Sequence, residues 1–460
     1  MKRTLSEFAR AAGGRLAGAD ATYTEVVSDT RALKPRQLFI ALKGPSFNGN
    51  DFVAAALGAG AAGAVVDALQ PVTLPQVVVE DTQAALTLAA RLWREAFTGP
   101  LVGVAGSNGK TTAKEMTAAI LSQAGNCLAT RGNLNNHIGV PLTLLRLSPE
   151  HRFAVVEMGA NRAGEVAALA DIARPSVGMI TNAGAEHLEG FGSLEGVARA
   201  EGEMVAGLAA AATAVINADD EFAQLWRGMT RARVVTFGLQ QRADFSASEV
   251  RTSVGTDGFR TQFRLTAPEG SAAVELCVGG AHNISNALAA AAAAASAGAT
   301  LEQISAGLAG VRAVAGRLQF KQAQSGAWVI DDSYNANPSS VRAAIEVLGS
   351  LSGRKWLVLG DMAELGSFAA EAHADSGEFA RSAGIERLYA FGALSERAAV
   401  SFGAGAQSFT DLAALTTALA AALASAGPEV RILVKGSRFN RLERVVNALT
   451  GAAGASGGGH

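Results

Sequence analysis

The stretch Leu101-Val-Gly-Val-Ala-Gly-Ser-Asn-Gly-Lys-Thr-Thr112 joins a short apolar run to a glycine loop and to the start of a helical pattern. Residues 101–105 predict a buried strand, and the apolar spacing from residue 113 to residue 124 predicts a helix. Loop N–H groups and a helix N-terminus attract anions, so this order predicts a phosphate site. The predicted phosphate-binding residues are Gly106, Ser107, Asn108, Gly109, Lys110, Thr111 and Thr112.

Within this loop, Lys110 can reach the β- and γ-phosphates of a nucleotide, and a threonine hydroxyl can hold Mg²⁺. The spacing differs from the usual G-x-x-x-x-G-K-[ST] pattern, because Val104 stands where the first glycine would be. An ordinary glycine turn between a strand and a helix is therefore the alternative interpretation.

The composition restricts the class of protein. With 460 residues, 49% of them hydrophobic, the chain is long enough for about two to four domains with sizeable cores. Its 39 basic and 41 acidic residues nearly cancel, which argues against binding nucleic acid or anionic membranes through bulk charge. Cys127 and Cys277 form no metal-spaced pair and suit a reducing compartment. We see no signal segment, and the alanine run at 287–295 is too weakly apolar to favour membrane insertion, so we expect a cytoplasmic protein.

Alternating strand and helix patterns predict an α/β fold in three domains. Residues 1–98 form a first α/β domain, and residues 99–312 form a central domain with the phosphate loop on a doubly wound parallel sheet. Short segments at 244–279, broken by glycine and proline, predict a small antiparallel insert. Residues 313–452 repeat the βα pattern as a Rossmann-like domain, and residues 453–460 are expected to form a disordered tail.

Polar residues follow two later strands of the central domain. Residues 153–157 predict a strand that ends in Glu157, and residues 177–182 predict a strand that leads to His187. Ligands of parallel α/β sheets lie beyond the carboxyl ends of the strands, so we expect Glu157 to bind Mg²⁺ beside the phosphate loop. We interpret His187 as a metal ligand as well, and a structural histidine is the alternative.

Two further polar segments leave both a binding and a structural interpretation open. The loop at 133–141 contains three Asn residues and a His, whose side chains can bind a ligand or satisfy the loop backbone. Asn283 and Asn286 open an alanine-rich helix, where they can contact a ligand or cap the helix.

The first domain carries candidate anion contacts at two strand ends. Ser28 and Arg31 follow one strand, and Lys43 follows another. These side chains can bind a phosphate or a uracil edge, or they can belong to solvated turns.

Six motifs occur in a fixed order along the chain. They are Ala105-Gly-Ser-Asn-Gly-Lys-Thr-Thr112, Asn133-Leu-Asn-Asn-His-Ile-Gly-Val-Pro141, Glu157-Met-Gly-Ala-Asn161, Asp331-Asp-Ser-Tyr-Asn-Ala-Asn-Pro338, Leu359-Gly-Asp-Met-Ala-Glu-Leu-Gly366 and Lys435-Gly-Ser-Arg438. The first is also found in folylpolyglutamate synthase, and the others are more specific. Together they resemble the Mur ligase family of bacterial cell-wall synthesis over nearly the whole chain.

The resemblance implies a first domain that binds the UDP end of a substrate, a central domain that binds ATP and Mg²⁺, and a third domain that closes over the site. It implies that Lys110 contacts the phosphates, that Thr111 and Glu157 hold one Mg²⁺, and that His187 holds a second. Further ATP contacts are implied for Asn283, Asn286, Arg317 and Asp331. Substrate contacts are implied for Ser28, Arg31, Lys43, Asn135, Asn136, His137, Asn335, Asn337, Lys435 and Arg438.

Within the family, the chain most resembles the member that joins D-alanyl-D-alanine to UDP-N-acetylmuramoyl-tripeptide, and we expect a monomer. Such a ligase transfers the ATP γ-phosphoryl group to a carboxylate, and the dipeptide amine then attacks the acyl phosphate. Another Mur-type amide ligase or folylpolyglutamate synthase is the alternative. A nucleotide-binding switch without ligase chemistry is a more remote one.

One residue departs from the family pattern. Related ligases carry a lysine that becomes a carbamate in the segment that reads here Ala198-Arg-Ala-Glu-Gly-Glu203, whereas this chain has Glu201. A carbamate and a glutamate both end in two oxygens with a negative charge. We therefore hypothesise that Glu201 joins Lys110, Glu157 and His187 as a catalytic residue that supports the second metal, directly or through water. A helix acid unrelated to the metal is the alternative.

Overall fold

The computed structural model describes residues 4–255 and 258–452, so the predicted tail at 453–460 lies outside the described residues. Three large sheets follow one another along the chain, each covered by helices. A small antiparallel sheet lies between the second and the third along the chain.

The N-terminal sheet is mixed, with the strand order β1-β7-β6-β3-β2. Only β1 runs antiparallel to its neighbour, while β4 and β5 form a separate hairpin. The strands are β1 Arg15–Ala17, β2 Val26–Val27, β3 Leu38–Ile40, β4 Lys43–Gly44, β5 Phe47–Asn48, β6 Gly63–Val66 and β7 Gln76–Val78. The helices are α1 Leu5–Ala11, α2 Val53–Gly58 and α3 Thr82–Glu95.

The central sheet is parallel throughout, with the strand order β13-β12-β11-β8-β10-β9. Its strands are β8 Leu101–Ala105, β9 Cys127–Ala129, β10 Phe153–Glu157, β11 Val177–Ile180, β12 Thr213–Asn217 and β13 Arg233–Phe237. The helices are α4 Lys110–Ser122, α5 Gly139–Leu144, α6 Glu165–Ala173, α7 Leu188–Phe191, α8 Leu194–Ala206 and α9 Ala223–Met229. All residues of β8 are buried, because helices cover both faces of the sheet. The chain passes from β10 on one side of β8 to β11 on the other, which is where parallel α/β sheets bind ligands.

The antiparallel insert packs on the central sheet through two helices. It consists of β14 Ser246–Gly255, β15 Gly258–Ala267 and β16 Gly270–Leu276, and the helices are α10 Ala281–Ser296 and α11 Leu301–Ala309. Buried and exposed residues alternate along β15, as expected when one face of a sheet covers a core. Residues 287–294 of α10 are all buried, which explains the alanine run: small side chains let the helix pack closely on its neighbours. In the described ranges, no helix is long and apolar enough to cross a membrane.

The C-terminal sheet has the strand order β17-β18-β22-β19-β20-β21, and only the edge strand β17 is antiparallel. Its strands are β17 Gln319–Gln322, β18 Trp328–Asp332, β19 Arg354–Gly360, β20 Arg387–Phe391, β21 Ala406–Phe409 and β22 Val430–Lys435. Its helices are α12 Pro338–Ser350, α13 Ala369–Ser382, α14 Ser395–Phe402, α15 Leu412–Ala426 and α16 Glu443–Thr450. The predicted α/β fold class is confirmed, with the parallel central sheet and the antiparallel insert where the sequence places them.

Candidate active site

A cavity of about 690 Å³ lies between the central and the C-terminal sheets. Its walls include the loop between β8 and α4, the end of β10, the start of α10 and the loop between β18 and α12. Because the strands of both sheets deliver residues from their carboxyl ends, the cavity gathers polar side chains that are far apart in the sequence.

The phosphate loop is held in place by protein acceptors. The Ser107 N–H donates to the Asn182 carbonyl at 2.9 Å, and the Asn108 N–H donates to Asn182 Oδ1 at 3.0 Å. The Gly106 N–H donates to Glu201 Oε2 at 2.6 Å. These three loop N–H groups therefore already have partners, so the start of α4 is better suited to supply donors for an anion.

The N-cap residue of helix α4 is Gly109, so no side chain caps the helix. Gly109 has a φ of +82°, and a Cβ there would lie 2.2 Å from Asn286 Oδ1, so any other residue would strain the backbone and displace Asn286. The first N–H groups of a helix have no partner inside it and carry the positive end of the helix dipole. The start of α4, which lines the cavity, is therefore suited to bind an anion.

Lys110 lies in a strongly acidic environment. Its Nζ donates to the carbonyls of Gly106 and Ser107 and lies 3.3 Å from Glu186 Oε1. Burial lowers the pKa of Lys110, but the negative charges of Glu186, Glu201 and Glu157 outweigh burial and raise it. The ammonium is thus held in its charged form, as a phosphate-binding lysine must be.

Only one of the two carboxylate oxygens of Glu157 has hydrogen-bond partners among the described residues. Its Oε1 accepts hydrogen bonds from Thr111 Oγ1 at 3.2 Å and Asn135 Nδ2 at 3.0 Å. Its Oε2 is buried without a hydrogen-bond partner among the described residues. A buried carboxylate oxygen without a partner is costly, and a hard cation is a fitting ligand for it. Thr111 and Glu157 therefore fit a Mg²⁺ ion, although no ready cluster of His, Cys, Asp or Glu ligands is found in the described part of the chain.

Asn283 and Asn286 lie at the start of α10, beside the phosphate loop. Asn286 Nδ2 donates to Asn283 Oδ1 at 3.4 Å, and Asn283 Nδ2 donates to the Gly279 carbonyl at 2.7 Å. Both residues are largely buried and line the cavity. Their position suits contacts to a nucleotide whose phosphates lie at the start of α4.

The C-terminal part of the chain contacts the phosphate loop directly. Asn337 Nδ2 donates to Asn108 Oδ1 at 2.8 Å, and Asn108 Nδ2 donates to Ser339 Oγ at 2.9 Å. His187 Nδ1 pairs with the Glu364 carboxylate, and both residues have a left-handed backbone. These contacts bring the central and C-terminal sheets together around the cavity.

Two adjacent acids at the end of β18 point to different surroundings. Asp331 pairs with Lys321 at 2.6 Å and accepts a hydrogen bond from Ser333 Oγ at 2.6 Å. Asp332 pairs with Lys435 at 2.7 Å, and both members of this second pair line the cavity. The structure thus places Asp332 rather than the predicted Asp331 at the cavity wall.

Comparisons with known proteins agree with this arrangement. Two family models match, the Mur ligase middle domain over residues 104–294 and the Mur ligase, glutamate ligase domain over residues 316–438. The chain is 45% identical to the UDP-N-acetylmuramoyl-tripeptide–D-alanyl-D-alanine ligase of Escherichia coli (strain K12), over 97% of this chain and 98% of the relative. The chain belongs to the Mur ligase family.

Solved structures of Mur ligases share the fold over nearly the full length. A structure of MurF from Acinetobacter baumannii superimposes with a TM-score of 0.90 and 33% identity, covering 98% of this chain and 99% of that one. The MurF ligase of Thermotoga maritima, solved in complex with ADP, superimposes with a TM-score of 0.80 and 27% identity, covering 93% and 97%.

Most of the site residues predicted from the sequence of this Mur ligase line the one cavity. They are Ser107, Asn108, Gly109, Lys110, Thr111, Thr112, Asn135, Asn136, Glu157, His187, Asn283, Asn286, Arg317, Asn335, Asn337, Lys435 and Arg438. Their roles toward ATP, Mg²⁺ and substrate remain predictions, but their convergence on one cavity is what a shared active site requires.

The other predicted residues lie outside the cavity wall. Glu201 is buried behind the phosphate loop, bound to the Gly106 N–H, and burial raises its pKa to about 7. Lys110 counteracts this rise in the pKa of Glu201, and Glu186 adds to it. The His137 side chain is exposed, and the His137 carbonyl accepts a hydrogen bond from Gln83 of α3 at 3.0 Å.

The candidate substrate contacts of the N-terminal sheet are separate from the cavity. Arg31 pairs with Asp29 at 2.6 Å, and Lys43 pairs with Asp67. Ser28 is exposed in the turn before Asp29. All three residues are exposed, and their contact with a substrate stays a prediction.

Sequence reasoning missed several residues of the site. Glu186, Asp332 and Ser339 line the cavity, and Asn182 shapes the phosphate loop. Glu186 lies immediately before the predicted ligand His187, and Asp332 immediately follows the predicted Asp331, so proximity in sequence was the available signal.

Proposed function

We propose that this Mur ligase joins D-alanyl-D-alanine to the C-terminal carboxylate of UDP-N-acetylmuramoyl-tripeptide, converting ATP to ADP and phosphate. The observation that carries the proposal is that the start of α4 and three cationic residues of the C-terminal part, Arg317, Lys435 and Arg438, line the same cavity. A triphosphate and an acceptor carboxylate, both anions, can meet there between cationic groups. The Escherichia coli relative, which is 45% identical, is named for the same pair of substrates.

The chemistry requires charge neutralisation and positioning. Lys110 and the N–H groups at the start of α4 bind phosphate oxygens and oppose the negative charge that would repel the carboxylate. The carboxylate oxygen attacks the γ-phosphorus, the bond to the β-phosphate oxygen breaks, and ADP leaves. The amine of D-alanyl-D-alanine then attacks the acyl carbon, a proton is lost from the nitrogen, and phosphate leaves with both electrons of its C–O bond.

We propose Mg²⁺ as the metal, held by Thr111 and Glu157, with His187 at a second ion. Such an ion, when bound, neutralises phosphate oxygens in the transferring group. The buried, unpartnered Glu157 Oε2 is the structural support for the first of these sites. Arg317 stabilises the same region by donating to Thr111 Oγ1 at 3.1 Å.

We further propose that the three domains have different roles in substrate binding. Residues 1–98 bind the UDP end through Ser28, Arg31 and Lys43, residues 99–312 bind ATP, and residues 313–452 close over both. The peptide ends of the substrates contact the loop at Asn135–His137 and the C-terminal residues Asn335, Asn337, Lys435 and Arg438. We expect the enzyme to act in the cytoplasm as a monomer. Sedimentation analysis tests the oligomeric state.

A phosphate-release assay tests the activity. ATP, Mg²⁺, UDP-N-acetylmuramoyl-tripeptide and D-alanyl-D-alanine are supplied together, and each is then omitted in turn. Release should require all four, and the pentapeptide product should appear by mass spectrometry in step with phosphate. Release that is independent of the dipeptide, or release with glutamate or diaminopimelate as the amine instead, would reject the proposal in favour of another amide ligase or a simple nucleotide hydrolase.

A further inference from the structure

We propose that Glu186 exchanges its ion pair with Lys110 for a divalent cation when the nucleotide binds, and so supplies the carboxylate of the second cation site. The inference rests on the proposed use of ATP at this cavity. It assigns to Glu186 the metal-supporting role that the sequence suggests for Glu201.

The first support is the position of Glu186 against Lys110. Glu186 Oε1 lies 3.3 Å from Lys110 Nζ, and the two side chains are only 11% and 15% exposed. Lys110 also donates to the carbonyls of Gly106 and Ser107, so its ammonium is turned back toward its own loop. A nucleotide phosphate that recruits Lys110 must therefore draw it away from Glu186.

The second support is the balance of charge around Lys110. Three carboxylates, those of Glu157, Glu186 and Glu201, act on this one ammonium group. A triphosphate adds further negative charge, and Lys110 cannot serve both Glu186 and the phosphates. A nearly buried carboxylate left beside an anion is strongly unfavourable, so a cation has to replace Lys110 at Glu186.

The third support comes from hydrogen bonding at Glu157. Glu157 is only 2% exposed, lines the cavity and has an oxygen without a hydrogen-bond partner among the described residues. The acidic wall of the cavity therefore has at least one carboxylate oxygen that is available to coordinate a cation. Oxygen ligands of this kind are what Mg²⁺ and Mn²⁺ prefer.

The contrast with Glu201 decides between the two acids. Glu201 Oε2 is engaged by the Gly106 N–H at 2.6 Å, and Glu201 is 1% exposed behind the phosphate loop. Glu186 lines the main cavity and also a second, smaller one of about 20 Å³ together with His187. Of the two acids, Glu186 is the one that an ion entering the cavity can reach beside His187.

Mn²⁺ binding measured by electron paramagnetic resonance tests the inference without any turnover. Mn²⁺ is titrated into the full-length protein with a non-hydrolysable ATP analogue, in the wild type and in Glu186→Gln. The wild type should bind two Mn²⁺ ions per chain, and Glu186→Gln should bind the second at least about tenfold more weakly. Glu189→Gln, which removes an exposed charge three residues away, is the matched control and should bind like the wild type.

The outcomes separate the inference from the function on which it rests. Tight binding of two Mn²⁺ ions by Glu186→Gln would overturn the inference. If only Glu201→Gln loses the second Mn²⁺ ion, then Glu201 and not Glu186 supports the second cation. A wild type that binds no ATP analogue would instead contradict the proposed function. Thermal melting of each variant shows whether weaker Mn²⁺ binding is due to misfolding. Glu186→Asp keeps the negative charge and should therefore recover part of the affinity for the second Mn²⁺ ion.

A second experiment tests the exchange itself. Without nucleotide, Lys110 neutralises Glu186, so the wild type should bind Mn²⁺ weakly. Lys110→Met should bind Mn²⁺ more tightly under the same conditions, and the double variant Lys110→Met/Glu186→Gln should lose most of that gain. A gain that survives in the double variant would place the ion elsewhere and overturn the inference.

Discussion

Arg317 Nη2 donates a hydrogen bond to Thr111 Oγ1 at 3.1 Å, although 206 residues separate them in the sequence. The same hydroxyl donates to Glu157 Oε1 at 3.2 Å, so it connects the start of α4, the end of β10 and the C-terminal part of the chain. The Arg317 guanidinium also lies over the Tyr334 ring, 4.6 Å from its centroid. Arg317 is therefore fixed from two sides next to the predicted phosphate and metal site.

Replacing Arg317 with alanine should impair ATP use. A charged hydrogen bond of this kind contributes about 1.5–3 kcal/mol, so kcat/KM for ATP should fall about 10- to 150-fold. Steady-state phosphate release at varied ATP measures the effect. Arg260→Ala, which removes an exposed arginine of the antiparallel insert, should leave kcat/KM unchanged. Equal kinetics in the two variants would show that the Arg317 contact has no role in catalysis.

Replacing Glu157 with glutamine should separate stability from activity. Glutamine can still accept from Thr111 and Asn135 through its amide oxygen, but it removes the negative charge and places a neutral NH2 group where Oε2 lies. We expect kcat to fall by about 10²-fold or more, because a metal ligand is lost. Without Mg²⁺ and nucleotide, the melting temperature should rise, because an unpaired buried carboxylate is costly. Scanning fluorimetry tests this second point, and a lower melting temperature would speak against Glu157 as an unpaired acid.

Replacing Glu201 with glutamine should change how stability depends on pH. Burial raises the pKa of Glu201 from 4.5 to about 7, so the folded state favours the protonated carboxyl. The wild type is therefore penalised progressively as pH rises from 4.5 to about 7, by on the order of 3 kcal/mol in full. Glu201→Gln lacks this penalty and should become more stable relative to the wild type between pH 5 and pH 8. Urea unfolding at several pH values measures the difference, and a constant difference would exclude a raised pKa.

Two glycines at helix starts provide a matched pair. Gly109 and Gly164 both have left-handed backbones, with φ of +82° and +88°. A Cβ at Gly164 meets no described atom within 4 Å, whereas one at Gly109 would lie 2.2 Å from Asn286 Oδ1. Gly164→Ala should therefore cost about 1–2 kcal/mol in the free energy of unfolding and leave the KM for ATP unchanged.

Gly109→Ala should cost more than this and raise the KM for ATP, because Asn286 has to move away from the phosphate loop. Unfolding and phosphate-release measurements on both variants give the comparison. If the two substitutions cost the same and neither affects ATP, then the close approach of Asn286 to the loop is not needed for binding.

Much of the fold and of the site could be predicted because the signals are local. The apolar strand, the glycines and Lys110 are contiguous, and the rule that ligands bind at the carboxyl ends of parallel strands places Glu157 beside them. The motifs of the family supplied the C-terminal residues. None of these inferences needed contacts between distant parts of the chain.

The positions of Asp331 and Glu201 could not be predicted from the sequence, and the reason is geometric. Asp331 and Asp332 end the same strand, and successive side chains of a strand point to opposite faces. Without knowing which face lies toward the cavity, the sequence cannot distinguish the two, and the choice of Asp331 differs from the structure, which has Asp332 at the wall. The position of Glu201 behind the loop likewise depends on which face of α8 packs against β8, which is a long-range property.

The hydrogen bonds that hold the phosphate loop have a consequence for ligand recognition. Asn182 and Glu201 accept hydrogen bonds from the N–H groups of Gly106, Ser107 and Asn108, so these contacts within the protein fix the shape of the loop. The loop is thus a preorganised receptor, and an arriving nucleotide does not have to supply the free energy to order it. A small anionic inhibitor would meet the same ordered loop backbone, so its affinity would depend mainly on matching charge and shape at the start of α4.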